Sequence, residues 1–164
     1  MPIFNSFHRQ QTPGPGGQAA PLALLTFGPF IPVQIEAPSV LVSQLEAEGR
    51  QLPTPVPGFA LIDTGATLTA IDETAIAQLG VQPIDVATVG TAGGPQPRPV
   101  YPARLSFPGT PLGTLEFGRL LSVNLAGQQV PLQHGQIIVL IGRDILQHCV
   151  LVYNGPGAMF SLAF

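Results

Sequence analysis

The chain has 164 residues, of which 45% are hydrophobic, so it holds enough apolar material for one ordinary domain and not for two. Only 9% of residues are charged and the formal net charge is −3, which leaves no basic footprint for a phosphate backbone and makes nucleic acid an unexpected partner. The single cysteine, Cys149, has no intrachain disulfide partner, and the opening MPIFNSFHRQ lacks the basic-then-apolar layout of a secretory leader; a reducing, cytoplasmic setting is expected.

In chain order, residues 1–20 contain TPGPGGQ and few core-forming side chains, and they read as a flexible N-terminal arm ahead of one domain over 21–164. Pro21 to Val33 is apolar but too short to span a bilayer and is broken by Pro29 and Pro32, so no membrane segment is expected. Leu22 to Glu36 reads as strand, with Val33 and Ile35 alternating with Gln34 and Glu36. Residues 37–58 read as an insertion. Its first half, SVLVSQLEAEG, is compatible with a short helix or an extended excursion, and LPTPVPG is a stiff connector.

Phe59 to Ile71 is β-prone around the turn chemistry of Asp63, Thr64 and Gly65. Asp72 is placed to cap a short helix, ETAIAQL, that Gly80 ends. From Val81 to Phe117 strands alternate with turns, with a hairpin over about 86–105 whose tip is Gly90-Thr91-Ala92-Gly93-Gly94. Gln136 to Ile141 is a continuous apolar strand, Arg143 to His148 a helical turn, and the last segment a hairpin turning at Asn154 to Gly157. The fold class is therefore all-β with one or two short helices.

The segment Phe59-Ala60-Leu61-Ile62-Asp63-Thr64-Gly65-Ala66 carries the chemistry. An acid directly after a buried strand, followed by a small hydroxyl residue and a glycine, sits on a tight turn with its carboxylate free to leave the core. Asp-Thr-Gly alone arises by chance in roughly a few per cent of chains this long. Here it is followed by the Gly-rich hairpin tip and then by Leu140-Ile141-Gly142-Arg143-Asp144. In this order and spacing the chain, from about Ile31 to Tyr153, resembles the retropepsin-like aspartic proteases, the family of the retroviral proteases and their bacterial relatives.

The resemblance implies a closed β-barrel subunit of a homodimer and an aspartic endopeptidase acting on polypeptide substrates without a cofactor or metal. It makes Asp63 the catalytic aspartate and Thr64 the hydroxyl that ties two active-site loops together. Gly65, Ala66 and Gly142 become support for that loop. Gly65, Leu140 and the hairpin tip Gly90, Thr91, Ala92, Gly93 and Gly94 become substrate-contacting positions beneath a flap. One Asp-Thr-Gly per chain then requires a second copy, because this chemistry shares a proton between two carboxylates. The alternative is a non-catalytic dimerisation or peptide-binding module on the same scaffold.

The pattern departs from the retroviral one where an acid normally follows the motif to pair with the arginine. Thr67 and Leu68 stand there, which leaves Arg143 without an evident partner. Asp144 reads as a helix start with a surface ion pair. His8, His134 and His148 have no metal-ligand spacing, and Cys149 reads as a small buried hydrophobe.

Overall fold

The computed structural model describes residues 2–7, 21–91, 94–130 and 135–163. Ile3–Phe7 form β1, Pro21–Phe27 α1, Phe30–Glu36 β2 and Ser39–Ala47 α2; Val56–Ile62 form β3, Ala70–Asp72 β4, Glu73–Ala77 α3 and Asp85–Thr91 β5. Gly94–Ser106 form β6, Leu115–Val123 β7, Gln129–Val130 β8, Gly135–Ile141 β9, Arg143–Leu146 α4, Val150–Asn154 β10 and Met159–Ala163 β11.

Six strands close on themselves in the order β2-β3-β9-β4-β7-β6, and β6 returns to β2 through Gln34↔Ser106, Ile35↔Leu105 and Glu36↔Arg104. This is the closed barrel that the resemblance implies, and closure removes the open edges that invite misassembly. At the seam Arg104 sits 3.1 Å from Glu36, whose other oxygen accepts from the Ser106 hydroxyl. The barrel is filled by Ile31, Val33, Ile35, Ala60, Ile71, Leu105 and Val139, all essentially inaccessible. Their alternation along each strand is what puts one face inside.

Several elements differ from the sequence reading. Ile3–Phe7, read as part of a flexible arm, pair along their whole length with β11, from Ile3↔Ala163 to Phe7↔Met159. Pairing to a strand more than 150 positions away leaves no local signal. Residues 22–27, read as strand, belong to α1, because Pro21 is pre-set for a first helical turn and Gly28, at φ +69°, ends it with its N–H donating to the Leu24 carbonyl at 3.0 Å. Within the 37–58 insertion the helical alternative holds. Pro38 has no capping side chain, and Glu116 of β7 instead accepts from both the Ser39 amide and hydroxyl.

β6 and β7 lose register between Tyr101 and Ala103, which places Pro102, a residue with no N–H to give, at the irregularity. The β5–β6 hairpin is paired from Asp85↔Val100 to Thr91↔Gly94 and leaves the barrel beyond Val100, so its side chains are mostly exposed or half-buried. A second, three-stranded sheet in the order β1-β11-β10 lies apart from the barrel. Phe160 and Leu162 of β11 anchor it to the main core.

Candidate active site

β3 and β9 run parallel, with Leu61 opposite Leu140 and Ile62 opposite Ile141, so the chain leaves β3 at Asp63 beside the end of β9. The Asp63 amide donates to the Ile141 carbonyl at 3.0 Å, and this bond fixes where the loop starts. Asp63 is half-buried, whereas Thr64 and Gly65 are exposed. Its Oδ1 accepts from the Gly65 amide at 2.9 Å and the Ala66 amide at 3.2 Å. Oδ2 accepts nothing among the described residues, and a Cβ on Gly65 would stand 3.1 Å from Oδ1. One oxygen is thus held by backbone while the other is left for an incoming group.

The rest of the loop is laced to the turn after β9. The Arg143 amide donates to the Ala66 carbonyl at 3.0 Å and the Asp144 amide to the Thr67 carbonyl at 3.2 Å. The Gly142 amide donates to the Thr69 hydroxyl at 3.1 Å. Gly142 is needed for this approach, because a Cβ there would lie 2.5 Å from the Leu68 carbonyl carbon and 2.8 Å from the Thr69 nitrogen. Backbone cannot give way as a side chain can.

Asp144 corrects the sequence reading. Among the described residues it makes no ion pair; its carboxylate accepts the Thr69 amide on both oxygens, at 2.9 and 3.0 Å, and the Thr69 hydroxyl at 2.7 Å. Thr69 is 1% exposed, so this carboxylate is the acceptor that satisfies its buried donors. Arg143 points outward, and its guanidinium donates to the Thr67 hydroxyl at 2.9 Å. The neutral Thr67 therefore takes one hydrogen bond where the retroviral pattern has an ion pair. The signal for Asp144 was its adjacency to Arg143, but only the tertiary fold shows that its partner is Thr69.

Leu140 is half-buried and belongs to a second apolar cluster built on Phe30, Leu125, Val130 and Ile137, with Phe27, Phe59 and Leu61 packed against it. The cluster gives the face of β3 and β9 that carries Leu61 and Leu140 an aromatic-rich wall next to the Asp63 loop. In the hairpin, Gly90 pairs with Pro95 and Thr91 with Gly94, and Gly94 has φ +97°; Ala92 and Gly93 lie outside the described residues. Between the hairpin base and the loop is a cavity of about 130 Å³ lined by Leu68, Ala87, Val100, Leu121 and Arg119. Arg119 is held at its rim by Asp85, 2.6 Å away, and this contact with a backbone bond from Val86 keeps the Asp85 carboxyl below its usual range. Sequence reasoning noted Leu68 only as a residue standing in place of an acid and did not single out Arg119, since an isolated arginine carries no motif.

Thr64 is exposed, and among the described residues nothing hydrogen-bonds its hydroxyl. No second carboxylate shares the Asp63 loop, because Asp144 turns its oxygens onto Thr69. Among the described residues there is also no group of three or more His, Cys, Asp or Glu side chains able to hold a metal ion, and no helix long and apolar enough to cross a membrane.

No curated protein matches the chain. Residues 54–145, more than half of it, match the aspartyl protease family, and the matched stretch runs from the connector before β3 to the middle of α4, enclosing the Asp63 loop, the hairpin and the Gly142 turn. With the closed barrel and the Asp63-Thr64-Gly65 loop laced to the end of β9, this match shows that the chain belongs to the retropepsin-like aspartyl proteases.

Proposed function

We propose that the chain is an aspartic endopeptidase that works as a homodimer, with Asp63 of each copy supplying half of one catalytic carboxylate pair. The observation that carries this reading is the state of Asp63: one oxygen tied to two backbone amides, the other without a partner among the described residues, on a loop held in place from below. Two such carboxylates about 3 Å apart cannot both ionise easily, so they share a proton. The ionised member then takes a proton from a bound water as that water attacks the scissile carbonyl, and the protonated member donates a hydrogen bond to the carbonyl oxygen.

Thr64 fits the same reading. Its hydroxyl, exposed and without a partner among the described residues, is available to the equivalent loop of the second copy. The β5–β6 hairpin, exposed or half-buried along its length and ending at Gly94 in a conformation that suits glycine, serves as a lid that orders over substrate and excludes water. Leu140, Leu61 and their aromatic neighbours favour apolar side chains around the cleaved bond.

The test is cleavage of an unbiased peptide library by the wild type and by Asp63→Asn, from acidic to neutral pH. Cleavage by the wild type alone, strongest at acidic pH where one carboxyl stays protonated, is expected. Full activity in Asp63→Asn overturns the mechanism. No cleavage by either protein, from a demonstrated dimer, assigns the scaffold to peptide binding without catalysis.

A further inference from the structure

β4 is three residues long and β7 nine, so β4 covers only the end of β7, from Ala70↔Leu121 to Asp72↔Val123. Nearer its start β7 pairs with β6, through Leu115↔Leu105, Glu116↔Arg104 and Phe117↔Ala103. Among the described strands none covers the opposite edge of residues 115–117, where alternate residues turn their backbone N–H and C=O away from β6.

A groove of about 530 Å³ lies there, within the roughly 300–1,000 Å³ typical of clefts that bind ligands. Leu115, Glu116 and Phe117 all line it. Successive side chains of a strand point to opposite faces, so one groove meets three in a row only by following the backbone edge. Leu112, Ile145 and Cys149 extend its apolar wall, and Leu112, Leu115, Phe117 and Cys149 are half-buried and packed on the main core.

We propose that this groove takes an extended peptide segment of a partner polypeptide, which adds as a strand to the open edge of β7 and sets alternate apolar side chains against Leu115, Phe117 and Ile145. Two observations select this occupant. The open edge offers N–H and C=O groups that another backbone satisfies and a compact apolar molecule does not. The charge is of one sign: Glu116 and Asp144 line the groove beside His148, and no Lys or Arg does, so the segment is neutral or basic. Glu116 is fixed by the Ser39 amide and hydroxyl, and Arg104, its cross-strand neighbour, gives its guanidinium to Glu36. Asp144 lines both this groove and the cavity beside the Asp63 loop, so a docked segment touches the residue that clasps Thr69. Docking here needs neither a second copy nor the Asp63 pair.

The test uses the full chain with Asp63→Asn, so that no peptide is cleaved, and a fluorescein-labelled heptapeptide of alternating valine and threonine with a lysine at each end. Micromolar binding by fluorescence anisotropy is expected, with alkylation of Cys149, the one thiol of the chain, slowed about fivefold or more at saturation. N-methylation of alternate peptide residues in one parity removes the N–H donors that face β7 and should weaken binding about tenfold, whereas methylation in the other parity should not. Glutamates in place of the two lysines should also weaken it. Leu112→Lys, which puts a charge on the groove wall, is expected to weaken binding about tenfold with an unchanged circular dichroism spectrum; if that variant does not fold, the N-methylated pair and Cys149 protection decide. Binding that leaves Cys149 alkylation unchanged lies elsewhere and overturns the docking site. Equal binding by both N-methylated forms overturns strand addition, and no binding at millimolar peptide overturns both. None of these readouts uses cleavage, so none bears on the Asp63 pair.

Discussion

Replacing Asp144 by alanine tests the clasp that holds the catalytic loop. The substitution removes the acceptor of the Thr69 amide and the Thr69 hydroxyl, and with it the bond of the Ile145 amide to Oδ1 at 3.0 Å. Thr69 is 1% exposed with the carboxylate in place, but Asp144 also lines the cavity of about 130 Å³, so water entering there offsets part of the loss. A buried donor left without an acceptor costs about 1–3 kcal/mol, and the hydroxyl can turn to another acceptor at lower cost than the amide. The expected loss is about 1–3 kcal/mol, which for a chain of this size lowers Tm by roughly 2–12 °C. Asp144→Asn keeps an oxygen at the Oδ1 position and is expected to lose about 1 kcal/mol. Urea unfolding gives the stabilities, and kcat/KM on a peptide found by the library screen gives the effect on the site, where Asp144→Ala should fall well below its folded fraction. Arg143→Ala, which removes an exposed hydrogen bond to Thr67, is the contrast and should change stability by less than about 1 kcal/mol. If Asp144→Ala proves no less stable than Arg143→Ala, the clasp does not hold the loop and the reasoning fails.

Gly142→Ala places a Cβ against the Leu68 backbone and is expected to cost about 3 kcal/mol or more, or to prevent folding, as read by circular dichroism and urea titration. Asp72→Ala loses both the α3 cap to the Ala75 amide at 3.0 Å and the bond from the Leu125 amide at 2.8 Å, and about 2–3 kcal/mol should go with them. Because the Asp85 carboxyl is held low by Arg119, its contribution to stability is present above the unfolded carboxylate range and is lost as pH falls through the folded value; Arg119→Ala should flatten that acidic limb of the stability–pH curve. Burial pushes the Cys149 thiol above its usual range, so alkylation at pH 8 should be slower than for a free thiol and should reach the free rate on unfolding.

Much of the site was legible along the chain. Strand–Asp-Thr-Gly–strand is a local arrangement, as are the Asp72 cap and the closing hairpin, and short-range hydrogen bonding dictates each of them. Thr67 and Leu68 were also visible as a departure, and the structure shows its consequence in the lone Arg143–Thr67 bond. What escaped was non-local. β1 has no signature apart from its pairing with β11, α1 was hidden by apolar residues that suit either state, and Glu116 reveals its part only where it meets Ser39.

The sequence by itself determined the chemistry on offer, one carboxylate per chain on a glycine turn, because that depends on residue type and spacing over a few positions. Tertiary structure alone decided which acid holds the loop, which oxygen of Asp63 is left free and which strand edge is left open. Those outcomes depend on closing a barrel that brings Thr69 to Asp144 across 75 positions, and on a register in which, among the described strands, β11 is paired on both sides and β10 on only one.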